Sequence, residues 1–577
     1  MTRVPFTRVA SAAAAKAKRS VSHTLSTPTR KMSMKVMRPA PFSDVKPKLS
    51  LGHKAAGEGL VSGKFEYAGH KLNVGLQGDP WTVPCPSQRF ARWLHGFSWL
   101  EDLTVLKQPV AQVRARFLVD GWITVYGGWN DFAWDLSILT SRLFYWLTAW
   151  SPVLSIDSGG EAGGARRSST LRQMKYLRKN YARTEPGLPR LMAAIVLAMG
   201  GARLADKSDS YLGRGLDWLD DEIELQILPD GGHISRAPET ALKALEALMM
   251  LDDILDARGV ARTKAMGRAI DRLQPMLPFF LHGDGALACF NGGGEGDKKR
   301  IAKILKRAAL TSRPFGYSPH TGYQRLDQGG TVMLIDAGET TPAPFDKQAH
   351  LAPLAFELST QAGRMIVNCG WSEEQPESWR SAVRATAAHS TLTLDDQSAG
   401  KILEGGYREN LLGTVVERGC GAVNAKRKEQ LTGTWLETSH SGYKAETGLM
   451  HRRRFYMTQD GHDIRGEDSL YLPIDDAPKR RDEIPFTIRF HLHPSCRATL
   501  AQDQKSALLI QSGRTGWRMR TDGGPISIEP SYYLGAGQTP QKSSQVVIRG
   551  RAFADGDGET QSNRVRWSLR LLEPRKS

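Results

Sequence analysis

Near residue 300 the chain changes its hydrophobic period, and that change limits the possible folds more than any other feature. From Pro80 onward, FARWLHGFSWLEDL (90–103), VAQVRARFLVDGWITVYGG (110–128) and SILTSRLFYWLTAW (137–150) space large apolar side chains three and four residues apart, as one face of a helix requires. The pattern returns in STLRQMKYLRKNYART (169–184), GLPRLMAAIVLAMGGARLA (187–205), YLGRGLDWLDDEIELQIL (211–228), PETALKALEALMMLDDILDARG (238–259) and KAMGRAIDRLQPMLPFFL (264–281). Short connections between such helices make antiparallel neighbours of them. After HGDGALACFNGGGEGD (282–297) and another short helical run come brief β-rich segments such as GTVMLIDAG (330–338), FTIRFHLH (486–493), SQVVIRG (544–550) and NRVRWSLRLLE (563–573). Short strands punctuated by Gly and Asx turns predict an antiparallel sandwich or barrel. At 577 residues the chain also exceeds what one hydrophobic core serves. The expectation is a multidomain α+β protein, with a flexible basic arm over 1–60, a helical domain over 61–315 and a β-sandwich over 316–577.

The formal charge of +18 is uneven: residues 1–60 hold twelve Lys/Arg against Asp44 and Glu58. That arm lacks apolar periodicity and reads as a tail. The rest is moderately basic, which suits acidic glycans, nucleic acid or an anionic membrane surface, and equally a mixed solvated surface. Nucleic acid is not the expected partner. Cys85, Cys289, Cys369, Cys420 and Cys496 are odd in number, far apart and without C-x-x-C spacing, so neither a disulfide framework nor a zinc knuckle is expected. No segment reaches the roughly 20 apolar residues that span a bilayer, and the N-terminus has no apolar run of secretory type.

Five segments carry a resemblance. LPDGGHISRAP (228–238), HGDGALACFNGG (282–293), TGYQRL (321–326), QAHLAPLAFELSTQAGRMIVNCG (348–370) and SWRSAVRATAAHSTLTLDD (378–396) follow one another in this order. Together they resemble the heparinase II/III family of polysaccharide lyases. That resemblance implies an α/α-toroid (an incomplete helical barrel) followed by an antiparallel β-sandwich, an acidic polysaccharide held between them, and a periplasmic or envelope setting at odds with this N-terminus.

Lyases of this family act by β-elimination, in which a base removes the C5 proton of a uronate, an acid protonates the C4 oxygen, and hydrogen bonds neutralise the carboxylate. The resemblance places the sandwich histidine at His350. It leaves the family's tyrosine position at Thr240 or Ala241 and its asparagine position at Leu188 or Pro189, and a threonine hydroxyl cannot replace a phenol as proton carrier. His350, His233 and Arg236 are therefore the candidate catalytic cluster, with Arg236 pairing the substrate carboxylate through its fork. For His233 a turn or cap role ranks above catalysis. Tyr323, Arg325 and Asn291 are candidate substrate-binding residues. Some relatives hold zinc in the sandwich; here only His389 is ligand-like, with Ala352 and Asn368 beside it, so neither a metal nor any other cofactor is expected. Asp336 and Glu357 form an alternative glycosidase pair, ranked below elimination. A non-catalytic glycan-binding or envelope-assembly protein is the competing function.

Overall fold

The computed structural model describes residues 41–155, 160–204, 211–309, 313–479, 482–511, 515–560 and 562–572, together with Val9 and Ala13. It divides into two compact units. One comprises Ala15–Ile227 and Leu242–Leu273, the other Met1–Ala14, Leu228–Ala241 and Gln274–Ser577. The boundary expected at 315/316 thus gives way to an interleaved one. The Asp-Gly-Gly segment and the Gly-rich 282–297 segment belong with the strands, because their polar side chains bond to strand residues.

The helix-rich unit contains α1 (Lys54–Val61), a hairpin of β1 (Lys64–Tyr67) and β2 (His70–Asn73), then α2 (Gln88–Gly96), α3 (Leu100–Thr104), α4 (Pro109–Tyr126), α5 (Leu136–Thr148), α6 (Glu161–Asn180), α7 (Leu188–Arg203) and α8 (Leu212–Gln226). Most of α9 (Pro238–Ala257) and α10 (Lys264–Phe279) completes it. Local chemistry sets the starts: Ser87 accepts the Phe90 N–H, Asp135 accepts those of Ser137 and Ile138, and Pro109 and Pro189 occupy first turns, where a missing N–H costs nothing. The helix expected over 90–103 is broken at Phe97, which adopts φ 62°. Its ring lies 5.4 Å from Trp81 and 4.7 Å from Trp99, inside an aromatic core.

Of the arm expected over 1–60, most of the first forty residues lie outside the described residues. The described part is packed. Val9 rests against Leu403, Leu412 and Val415. Leu51 and Leu60 are buried, and a Cβ on Gly52 or Gly57 would meet the carbonyl oxygens of Glu101 or Asp102 at 2.3 and 2.2 Å. Two glycines thus let the chain lie flat on its neighbour, a contact too sparse in apolar residues to produce periodicity.

Gly215 performs the same service between α7 and α8. A Cβ there would sit 2.5 Å from the backbone nitrogen of Ala198, so the helices meet backbone to backbone. We expect Gly215→Leu to lower the stability of the helix-rich unit by about 1–3 kcal/mol, the usual cost of overpacking. A denaturant midpoint equal to that of the unsubstituted protein would show that α8 is not seated this way.

The strand-rich unit is a sandwich of two antiparallel sheets. Its strands are β3 (Tyr317–Ser318), β4 (Tyr323–Gln328), β5 (Thr331–Asp336), β6 (Phe356–Thr360), β7 (Gly363–Val367), β8 (Leu392–Leu394), β9 (Lys401–Ile402), β10 (Val416–Arg418), β11 (Val423–Gln430), β12 (Gly433–His440), β13 (Met450–Thr458), β14 (Asp463–Tyr471), β15 (Ile484–Leu492), β16 (Arg497–Leu500), β17 (Ser506–Ile510), β18 (Gly516–Thr521), β19 (Ile526–Tyr533), β20 (Gln541–Ala552) and β21 (Arg564–Leu572). One sheet runs β11-β12-β13-β14-β21-β18-β17-β16, the other β19-β20-β15-β7-β6-β5-β4-β3, with β8 beside β15, while β9 and β10 pair with each other outside both. Alternate residues face inward, and Leu326, Met333 and Phe356 of one sheet meet Phe455, Met519 and Trp567 of the other in one core. Phe356 stacks on Trp567 at 5.7 Å. Among the described residues no helix is long and apolar enough to cross a membrane.

Candidate functional site

The five segments singled out in the sequence, spread over residues 228–396, meet in the strand-rich unit. Asp230 explains the first of them. Its carboxylate accepts the Gly232 N–H at 3.0 Å, the His320 and Thr321 N–H groups at 2.8 and 2.7 Å, and the Thr321 hydroxyl at 2.7 Å. A Cβ on Gly232 would lie 1.7 Å from Thr321 Oγ1. The Asp-Gly-Gly turn is thereby clamped onto the entry to β4.

From that clamp the chain delivers Arg236, held at φ 61°. The fork expected to pair a substrate carboxylate is turned into the protein instead. Nη2 bonds Asp336, Nε donates to the Thr321 carbonyl at 2.8 Å and Nη1 to that of Glu339 at 2.7 Å. Both Arg236 and Asp336 are buried, and a buried carboxylate needs its partner. Burial raises the Asp336 pKa, against the opposing pull of Arg236.

Tyr323 and Asn291 are likewise committed. The Tyr323 hydroxyl donates to the Arg236 carbonyl at 2.7 Å and accepts from Asn291 Nδ2 at 2.8 Å, while Asn291 Oδ1 accepts the His350 backbone N–H at 3.1 Å. Burial pushes the Tyr323 phenol far above its ordinary value. Arg325 stands apart from this group: it pairs Asp327 at 2.7 Å and closes the end of α10 by donating to the Phe279 and Leu281 carbonyls at 2.9 and 2.8 Å. In these positions Tyr323, Asn291 and Arg325 brace the backbone rather than offer free donors. His233 Nδ1 accepts the Ser235 N–H at 3.0 Å, a local turn bond, and burial lowers its pKa to about 3.

His350 is arranged differently. Its Nδ1 lies 2.9 Å from His389 Nε2, and His389 Nδ1 lies 2.9 Å from the Ala385 carbonyl. A carbonyl only accepts, so His389 carries its proton on Nδ1, its Nε2 accepts, and His350 must donate from Nδ1. His350 Nε2 is therefore an open lone pair. Burial, then His389, Arg384 and Arg380, hold the His350 pKa well below its ordinary value, and burial lowers that of His389 to about 4. The pair is a neutral relay that can accept a proton or a hydroxyl hydrogen bond. His389, singled out in the sequence only as ligand-like, is the residue that orients His350; its position at the end of the Arg-Ser…His segment is the available signal.

Comparison with known proteins places the fold and the motifs together. Residues 311–568 match the family model Heparinase II/III-like, C-terminal. The chain is 34% identical over 524 residues to FtsZ-localized protein C of Caulobacter vibrioides, covering 90% of this chain and 88% of that protein. This chain belongs to the heparinase II/III family. The crystal structure of heparinase III aligns at a TM-score of 0.64 and 14% identity, over 94% of this chain and 88% of that one. Heparan sulfate lyase HepC from Pedobacter heparinus aligns at 0.59 and 14% over 95% and 88%. An N-terminal helical toroid followed by a β-sandwich is thus the architecture of this family member too.

Within the family frame, the positions that resemblance assigns to tyrosine and asparagine lie in helix first turns: Thr240 and Ala241 in α9, Leu188 and Pro189 in α7. The glycosidase alternative has no free carboxylates. Asp336 is held by Arg236, and Glu357 accepts from His282 Nε2 at 3.0 Å, the Cys289 N–H at 3.1 Å and the Asn368 N–H at 2.9 Å. Among the described residues no three His, Cys, Asp or Glu side chains converge as a metal site would require.

Proposed function

We propose that this protein is a non-catalytic binding member of the heparinase II/III family that acts together with FtsZ. One observation carries the reading: among the described residues, the candidate donors tied into the His350 network are already engaged. Tyr323, Asn291 and Arg236 spend their donors on the protein itself. His350 keeps its one proton on the nitrogen that faces His389, and the positions of the family tyrosine and asparagine hold Thr240 or Ala241 and Leu188 or Pro189. Elimination needs a base and an acid, and beside His350 the second proton carrier that the family resemblance calls for is missing from the matching positions. The relative named for its localisation with FtsZ supports a role in assembly. Acidic polysaccharide remains the ligand class that family membership suggests.

The second reading, a lyase working from His350, is favoured by the open Nε2 lone pair. One assay separates them. Incubated with a panel of polyuronates and sulfated glycosaminoglycans, the folded protein is expected to give no rise in ultraviolet absorbance from unsaturated ends, and a fluorescent fusion is expected to co-localise with FtsZ. A rise that His350→Ala abolishes would establish the lyase and end the first reading.

A further inference from the structure

The outward face of the β11–β16 sheet carries a concavity of about 600 Å3 that shares no residue with the His350 network. Its lining follows from register. Trp435 pairs with Tyr456, Tyr456 with Arg465, Arg465 with Ser568, and Ser568 with Arg520. These five side chains therefore stand in one line across β12, β13, β14, β21 and β18, about 19 Å long at the usual strand spacing. Two residues along, Glu437, Arg454, Glu467 and Arg566 form a parallel line. Trp435 is 46% exposed and lies 4.4 Å from the Tyr456 ring, while the Arg465 guanidinium sits 5.8 Å over Tyr456. The floor is an aromatic platform on β12 and β13, with Arg465 and Arg520 following it toward β18.

We propose that this face binds a stretch of acidic polysaccharide. The chemistry selects that occupant. The planar forks of Arg465, Arg520 and Arg566 match carboxylates, and the Trp435–Tyr456 platform matches the C–H face of a sugar ring. Glu467, Asp522 and Ser568 in the same groove are placed to accept hydrogen bonds from sugar hydroxyls, which a polyphosphate lacks. An extended peptide binds sheets best by adding a strand at an edge, whereas this groove lies over central strands whose backbone groups are already paired. The ion pairs Arg465–Asp463 at 3.0 Å and Arg566–Glu467 at 3.2 Å have their arginines at the surface, where such pairs are weak and yield to a ligand carboxylate. The inference stands apart from the question of cleavage, since it uses none of the groups around His350.

Titration calorimetry of the full chain tests it, with oligogalacturonate, a neutral cello-oligosaccharide, poly-glutamate and single-stranded DNA as probes. Oligogalacturonate is expected to bind and the neutral sugar not. Trp435→Ala should weaken binding about 10-fold by loss of the stacking platform, and Arg520→Ala should weaken it as well. Both groove side chains are exposed, and circular dichroism of each variant checks that the fold is kept. The proposal is overturned if oligogalacturonate does not bind, if folded Trp435→Ala and Arg520→Ala bind it like the unsubstituted protein, or if poly-glutamate or DNA binds more tightly through these same residues, which would assign the face to an acidic protein or to nucleic acid.

Discussion

Lowering the pH from 7 toward 5 is expected to unfold the strand-rich unit, well before carboxylates protonate. Its interior holds His233, His282, His350, His389, His440, His451 and His491, all buried. Burial, the largest cause in each, lowers the pKa of His233 and His491 to about 3 and of His389 to about 4, and lowers the other four as well. The sign follows from linkage: each imidazole stays neutral in the folded state, while the unfolded chain takes up protons below about 6.5. Stability is fully present above that value and falls as the pH drops toward the folded pKa. The three with stated values alone remove about 4 kcal/mol per pH unit once the pH is well below 6.5. In the helix-rich unit His95 is the described buried histidine, lowered to about 4 chiefly by burial, so that unit should outlast its neighbour. Circular dichroism resolving strand from helix signal across pH 8 to 4 checks this. A strand signal that stays flat down to pH 4 would mean the imidazoles already carry protons in the folded protein.

Replacing Arg236 by Ala is expected to cost the strand-rich unit about 3–5 kcal/mol, the usual penalty for leaving a buried charge without its partner. The guanidinium satisfies Asp336 and two carbonyls at once, and it lies 5.0 Å over the Tyr323 ring, so its loss also loosens the Tyr323–Asn291–His350 chain. The measurement is the urea midpoint of the strand-rich transition, set beside glycan binding by the fraction that remains folded. A bracing role predicts a large shift in midpoint with binding by folded molecules retained. Unchanged stability with lost binding would return Arg236 to the role of carboxylate partner.

The helices were legible because their apolar residues repeat over many turns: α4, α5 and α7 to α10 fall close to the expected spans, while α6 begins at Glu161, well before the expected 169. Strands with an inward apolar face, such as β15 and β20, were legible too. β11 was not: VNAKRKEQ has no apolar stripe, and it is a strand because it pairs with β12 at the sheet edge. The motifs were visible as types of residue. Nothing in TGYQRL says that Tyr323 bonds the Arg236 carbonyl or that Arg325 closes a helix end, since those partners lie 87 and 46 residues away in the chain.

What the sequence determined by itself was the class of protein: helices before strands, and the heparinase II/III segments in order. Only the tertiary structure decided what the side chains of those segments do. A donor can be given once, and whether Arg236, Asn291 and Tyr323 give theirs to a ligand or to the protein depends on which buried carbonyls and carboxylates folding brings within about 3 Å, a distance that no local pattern encodes.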